Sequence, residues 1–199
     1  MYGCARLVLL AALTFLAAVG VLVFFATRPG VERADLGDVA PSAQALADLR
    51  AQFATANELI DQSKRTGVSE PVSLTVTESE LTSEFDDWSK KEKPFAGFRD
   101  LRVNLRSDIA ILTGILKVNR LESPFRLDLR IRIESGALDL RIIRLQFGQL
   151  YVPEFLRDAL VGLVQRTLDA GVPRPPIDVE TLLVSEQTMV ISGSTRAAR

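Results

Sequence analysis

The segment Phe125 to Glu134, FRLDLRIRIE, alternates apolar and charged residues without interruption. Successive strand side chains point to opposite faces, so this pattern calls for a strand with one face on a core and one polar face. Such a strand cannot stand alone and needs partners within a sheet. The surrounding sequence supplies them. Leu101, Val103 and Leu105 alternate with Arg102, Asn104 and Arg106, and residues 109–118 are apolar at most positions, as in a central strand. Ser135-Gly136 signals a tight turn, and residues 138–147 return with their alternation slipping at Ile142-Ile143, the mark of a bulge.

Helices are predicted on either side of these strands. Leu46, Leu49, Phe53, Ala56 and Ile60 recur at helical spacing behind Ser42, and the pattern stops at Gly67 after Lys64 and Arg65. Thr77-Glu78-Ser79-Glu80 follows the short strand 72–76 as a capping box for a helix over 78–91. Pro153 opens a third helix, striped by Leu156, Leu160, Leu163, Val164 and Leu168 and ended by Gly171. Two last strands, 177–185 and 188–192, form a hairpin. The expected fold is α+β: a transmembrane helix, then an antiparallel curved meander sheet packed by two main helices, in the order β-α-β-β-β-β-α-β-β.

The membrane helix is read from LVLLAALTFLAAVGVLVFFA, residues 7–26, which carry no charge. As a helix they would span roughly 30 Å, the hydrocarbon thickness of a bilayer. A cleaved signal peptide ending at Ala18-Val19-Gly20 is the competing reading, but its apolar core is normally shorter. The division is then a short cytoplasmic tail (1–6), a signal anchor (7–26), a linker (27–41), an amphipathic helix (42–66), an extracytoplasmic α+β domain (72–193) and a frayed tail (194–199).

The elements LTVTESELTSEFDDW and LQFGQLYVPEFLRDALVGLVQ, between an N-terminal anchor and a closing hairpin, resemble the YpmS-like family of uncharacterised bacterial membrane-anchored proteins. The likeness runs from about Ser73 to Gly193 and weighs most on Thr77–Leu81 and Gly148–Pro153. A helix wrapped by a curved meander is more distantly similar to tubular lipid-binding domains and LmeA-like phospholipid-binding domains. The second likeness, at the level of fold, implies a lipid-associated function, and neither implies a catalytic residue.

Composition narrows the chemistry. The chain contains no histidine, so it lacks the commonest general base and metal ligand. Cys4 is the only cysteine, which leaves no intrachain disulfide and no zinc site of paired cysteines. A net charge of −1 speaks against nucleic acid as a partner. Asp86 and Asp87 are adjacent on one helix and diverge in direction, so they make a poor acid–base pair. No catalytic residue, metal site or cofactor is expected.

Three candidate sites remain. The first is an apolar groove lined by Leu101, Val103, Leu105, Phe125, Leu127, Leu129, Ile131, Ile133, Leu156, Leu160 and Leu163, which is equally the pattern of a filled core. The second is an anion or headgroup site of Arg102, Arg106, Arg126, Arg130 and Arg132, against which stands an ordinary solvated sheet face. The third is a membrane-interface cluster of Trp88, Lys90, Lys91, Lys93, Phe95 and Phe98. The expected function is non-catalytic binding of a lipid or lipid-like envelope component in the groove of a domain anchored in the membrane by a single span. The alternative is a protein-interaction domain with a closed core, acting through the arginine face or the 42–64 helix.

Overall fold

The computed structural model describes residues 26–28, 39–91, 97–134, 137–159, 161–162 and 177–196. The predicted anchor, apart from Ala26, lies outside them, as do the turn Ser135-Gly136 and most of the predicted helix after Pro153. Among the described residues, no helix is long and apolar enough to cross a membrane.

Helix α1 spans Ala43–Thr66. The Ser42 side chain caps its start by accepting from the Ala45 amide. Gly67 ends it in the left-handed conformation, φ 70°, and its N–H donates to the Ser63 carbonyl. A residue without a Cβ takes that conformation at little cost. Strand β1, Pro71–Thr77, runs directly into α2, Glu78–Lys91. The capping box forms as its spacing predicts: Thr77 Oγ1 accepts from the Glu80 amide at 3.3 Å, and Glu80 Oε2 accepts from the Thr77 amide at 2.7 Å.

The strands that follow are β2 (Phe98–Arg106), β3 (Ile109–Val118), β4 (Leu121–Glu134), β5 (Ala137–Phe147) and β6 (Leu150–Tyr151). They form one antiparallel sheet in sequence order. Residues 154–159 and 161–162 are helical (α3). Pro153 immediately precedes that helix, and its carbonyl accepts from the Leu156 and Arg157 amides. Strands β7 (Ile177–Val184) and β8 (Thr188–Thr195) close the chain as a hairpin.

The single meander expected from the sequence is instead two sheets, because β1 pairs with β8 in a three-stranded sheet ordered β1-β8-β7. The physical reason is α2. It lies along the outer edge of β2 and bonds to it through side chains. Thr82 Oγ1 accepts from the Val103 amide at 3.0 Å, and Glu78 Oε1 accepts from the Leu105 amide at 2.6 Å. Both acceptors are buried. The place where β1 would pair is therefore taken. Strand β8 also runs through Thr195, into the tail expected to fray. Thr195 is buried, and its amide and carbonyl are both bonded, to the Glu70 carbonyl and the Ser69 hydroxyl.

The small sheet presents Val72, Leu74 and Ile191 to Ala56 and Leu59 of α1. Its other apolar residues, Leu182, Val184 and Met189, pack with Leu81 and Phe85 of α2 onto Val103, Leu105, Ala110 and Leu112 of the large sheet. The two sheets are latched at one end, where the Asp108 amide donates to the Val184 carbonyl and the Gln187 amide to the Leu105 carbonyl. Gly114 permits a close approach within the large sheet: a Cβ there would sit 2.8 Å from Leu101 Cδ2 and 3.1 Å from the Phe125 ring.

Removing the Glu78 carboxylate leaves the Leu105 amide without its acceptor. We expect Glu78→Ala to cost about 1–3 kcal/mol in urea unfolding. Glu78→Gln, which retains a carbonyl oxygen, should cost clearly less. Equal losses in the two variants would exclude this bond as the cause.

Candidate functional site

The apolar face of the large sheet can be followed by register. Val103 is opposite Leu112, and Leu112 is opposite Leu127; Leu105, Ala110 and Leu129 form the adjacent row. Across β5, Leu129 faces Ile142 and Ile131 faces Leu140, with Ile143 bulged out of register as predicted. Burial falls along this face. Leu101, Val103, Leu105 and Phe125 are buried, Leu105 to 1% exposure. Leu127, Leu129, Ile131, Ile133, Leu140 and Ile142 are only half-buried.

The candidate groove is corrected accordingly. Leu101, Val103 and Leu105 are core, closed over by protein. Phe125 is core as well, with the Phe98 ring edge-on at 5.4 Å. Leu156 is 45% exposed, so it does not fill the groove, and Leu160 and Leu163 lie outside the described residues. What remains of the candidate lining is Leu127, Leu129, Ile131 and Ile133. A separate shallow cleft between α1 and β1, lined by Gln52, Thr55, Leu59 and Ser73 among others, measures about 160 Å³. That is well below the roughly 300–1,000 Å³ of ordinary ligand pockets.

The arginine face differs from the solvated sheet surface that alternation suggests. Arg126 and Asp128 are buried and pair at 2.7 Å; Ile111, Thr113 and Gln146 beside them are buried too. Strand β3 beside them is apolar on both faces, the pattern of a strand covered on both sides. Most of the arginines already have internal partners. Arg102 donates to the Val39 carbonyl, Arg106 to Asn104, Arg132 to Asp108 and Arg141 to Asp139. Arg144 donates to the Tyr151 hydroxyl and lies over its ring. Arg130 is different: its Nε is buried with no hydrogen-bond partner among the described residues, between Ile109 and Arg141 in register.

The interface cluster is divided. Trp88 is 39% exposed and meets Phe85 edge-on at 5.4 Å. Lys90 pairs with Asp86 at 2.5 Å and Lys91 with Asp87 at 2.8 Å. Phe98 is half-buried against Phe125, so it belongs to the core edge, and Lys93 and Phe95 lie outside the described residues.

The carboxylates at the start and end of α2 are in structural use. Glu80 closes the capping box and also accepts from Gln52 at 2.9 Å. Asp87 holds Lys91 and Arg50, joining α1 to α2. The hydrogen bond from Lys91, with Arg50 adding to it and outweighing desolvation, holds the Asp87 carboxyl below its usual value of 3.8. Among the described residues, no group of three or more acidic or cysteine side chains is placed to hold a metal. Sequence inspection missed the buried Arg126–Asp128 pair, although two residues at i and i+2 on one strand share a face.

Two outcomes test these assignments. Asp128→Ala strands the Arg126 guanidinium in the interior and should cost about 3–5 kcal/mol, whereas replacing both residues by apolar side chains should cost much less. Equilibrium unfolding of the single and double variants measures the difference. A depressed carboxylate stabilises the fold above its unfolded pKa and loses that contribution as pH falls through the folded value. Wild type and Asp87→Asn should therefore converge in stability as pH drops below the ordinary carboxylate range. A gap that persists in acid would exclude ionised Asp87 as its source.

No family model, no curated protein and no solved structure matches the chain.

Proposed function

We infer that this chain is a membrane-anchored, extracytoplasmic, non-catalytic domain that holds a lipid or a lipid-like envelope component against the open end of its large sheet. The carrying observation is the loss of burial along β4. Phe125 is sealed at 3% exposure, whereas Leu127, Leu129, Ile131 and Ile133, in the same row, stay half-buried. Their cross-strand neighbours Leu140 and Ile142 are half-buried as well. Contiguous apolar surface left short of full burial can serve as a binding surface when it is large. An acyl chain suits it, because the strip itself is hydrocarbon and needs no directional bonds.

The membrane assignment rests on the uncharged run 7–26, long enough to span a bilayer as a helix. The YpmS-like resemblance adds to it. The alternative, a scaffold acting through the arginine face, draws less support, since Arg102, Arg106, Arg126, Arg132, Arg141 and Arg144 are already bonded within the chain.

A photocrosslinking residue placed at Ile131 of the full chain tests this reading. After irradiation in cells, intact-mass analysis should show lipid adducts at Ile131 and far fewer for the same probe at Thr75, an exposed β1 position. Equal yields at the two positions, or none at Ile131, would sink the lipid reading. A C-terminal reporter active only in the cytoplasm would overturn the placement of the domain.

A further inference from the structure

The hairpin joining β3 and β4 is built unlike an ordinary surface turn. Val118 and Leu121 are its last cross-strand pair, and they are 54% and 48% exposed. Between them lie only Asn119, with φ 55°, and Arg120. The tip projects past the rest of the sheet: β2 enters at Phe98 opposite Leu116, and β5 leaves at Phe147 opposite Phe125. A polar turn here would be cheaper in water. Two exposed branched apolar side chains at the end of a stiff ribbon form an apolar tip that a bilayer would accept at less cost than water.

Two further observations say what that medium is. First, the chain emerging from the uncharged run arrives at this hairpin, where Ser123 Oγ donates to the Ala26 carbonyl at 2.5 Å. Ala26 is the last residue of that run, and Ser123 is two positions from Leu121. Second, α2 runs opposite to β2, with Glu78 at Leu105 and Thr82 at Val103. From that crossing, about 14 Å of helix reaches Lys91 and about 16 Å of strand reaches Phe98. The exposed Trp88 and the cations Lys90 and Lys91 therefore end level with the start of β2, on the hairpin's side of the sheet. The flanks of the tip are basic: Arg99, Lys117 and Arg120 stand against Glu122, which Lys117 and Arg99 approach at 3.5 and 3.9 Å.

We propose that the β3–β4 tip, Val118 to Leu121, inserts into the same bilayer that residues 7–26 span, placing Val118 and Leu121 at the acyl boundary and the basic flanks among anionic headgroups. This rests on the anchor reading. It adds that the domain is held by two points, so its open apolar face keeps a fixed attitude to the membrane. Interfacial insertion of this type reaches roughly 5–10 Å, about the depth of two residues of hairpin.

The test uses the full chain with Cys4→Ser, carrying one new cysteine at a time and reconstituted into vesicles of phosphatidylglycerol and phosphatidylethanolamine. An environment-sensitive fluorophore is attached at Leu121→Cys, at Val118→Cys, at Ala17→Cys and at Leu183→Cys. Leu183 is exposed and lies by the β7–β8 turn, which bonds to the opposite end of β2 and β3. Over the ten residues of β3 that is about 30 Å from the tip. Nitroxide lipids labelled near the headgroup should quench Leu121 and Val118 several-fold more than Leu183, with a blue shift at the two tip positions only. Quenching of both tip labels no stronger than at Leu183, with Ala17 quenched by deep acyl-chain nitroxides, overturns the inserted tip and leaves the anchor standing. Ala17 beyond the reach of deep nitroxides overturns the anchor itself. Val118 and Leu121 belong to neither buried core cluster among the described residues, and matching circular dichroism of the variants checks that the fold is kept.

Discussion

The outer edge amides of β2 have to bond to something, and what they bond to organises the molecule. A sheet edge left open invites another strand. Here Glu78 and Thr82 close it with side-chain oxygens. A buried carboxylate and hydroxyl satisfy amides that a strand would otherwise claim, and they do so only because α2 is pinned alongside. The capping box at Thr77 and Glu80 fixes where that helix begins. With the edge closed, β1 turns away to β8, and the chain becomes two sheets stacked across Leu81, Phe85, Leu105 and Val184.

With that division, burial of the large sheet's apolar face is complete at Leu101, Val103 and Leu105 and partial along β4 beyond Phe125. The covered part lies under the latch formed by Asp108, Val184, Leu105 and Gln187. Further across the sheet, β4 and β5 carry half-buried Leu127, Leu129, Ile131, Leu140 and Ile142. The opposite face is unusual in the other direction. Arg126 and Asp128 are buried where an outer sheet face would be wet, beside a β3 that is apolar on both sides. Burying that pair costs desolvation, which their 2.7 Å contact offsets in part. The buried Nε of Arg130 has no such partner among the described residues.

Several elements could be read from residues alone, and they share one property: their causes are local. The Ser42 and Thr77 caps, the stop at Gly67 and the extra residue at Ile143 depend on neighbours within a few positions. Alternation in 125–134 identifies a strand because side-chain direction follows the backbone. The candidate groove was only half legible. Leu105 and Ile131 look alike in sequence, yet one is sealed and the other half-open.

The sequence by itself determined the α+β class, the antiparallel run from β2 to β5, both capped helix starts and the absence of histidine chemistry. These follow from backbone periodicity, local hydrogen bonding and side-chain inventory. Tertiary structure alone decided that β1 joins β8, that Glu78 serves an amide 27 residues away and that Arg126 is buried. It also decided which part of one uniform apolar stripe is fully buried and which is half-buried. The physical reason is that an edge hydrogen bond and the burial of a face depend on what the chain places there from far away, and periodicity carries no record of that partner.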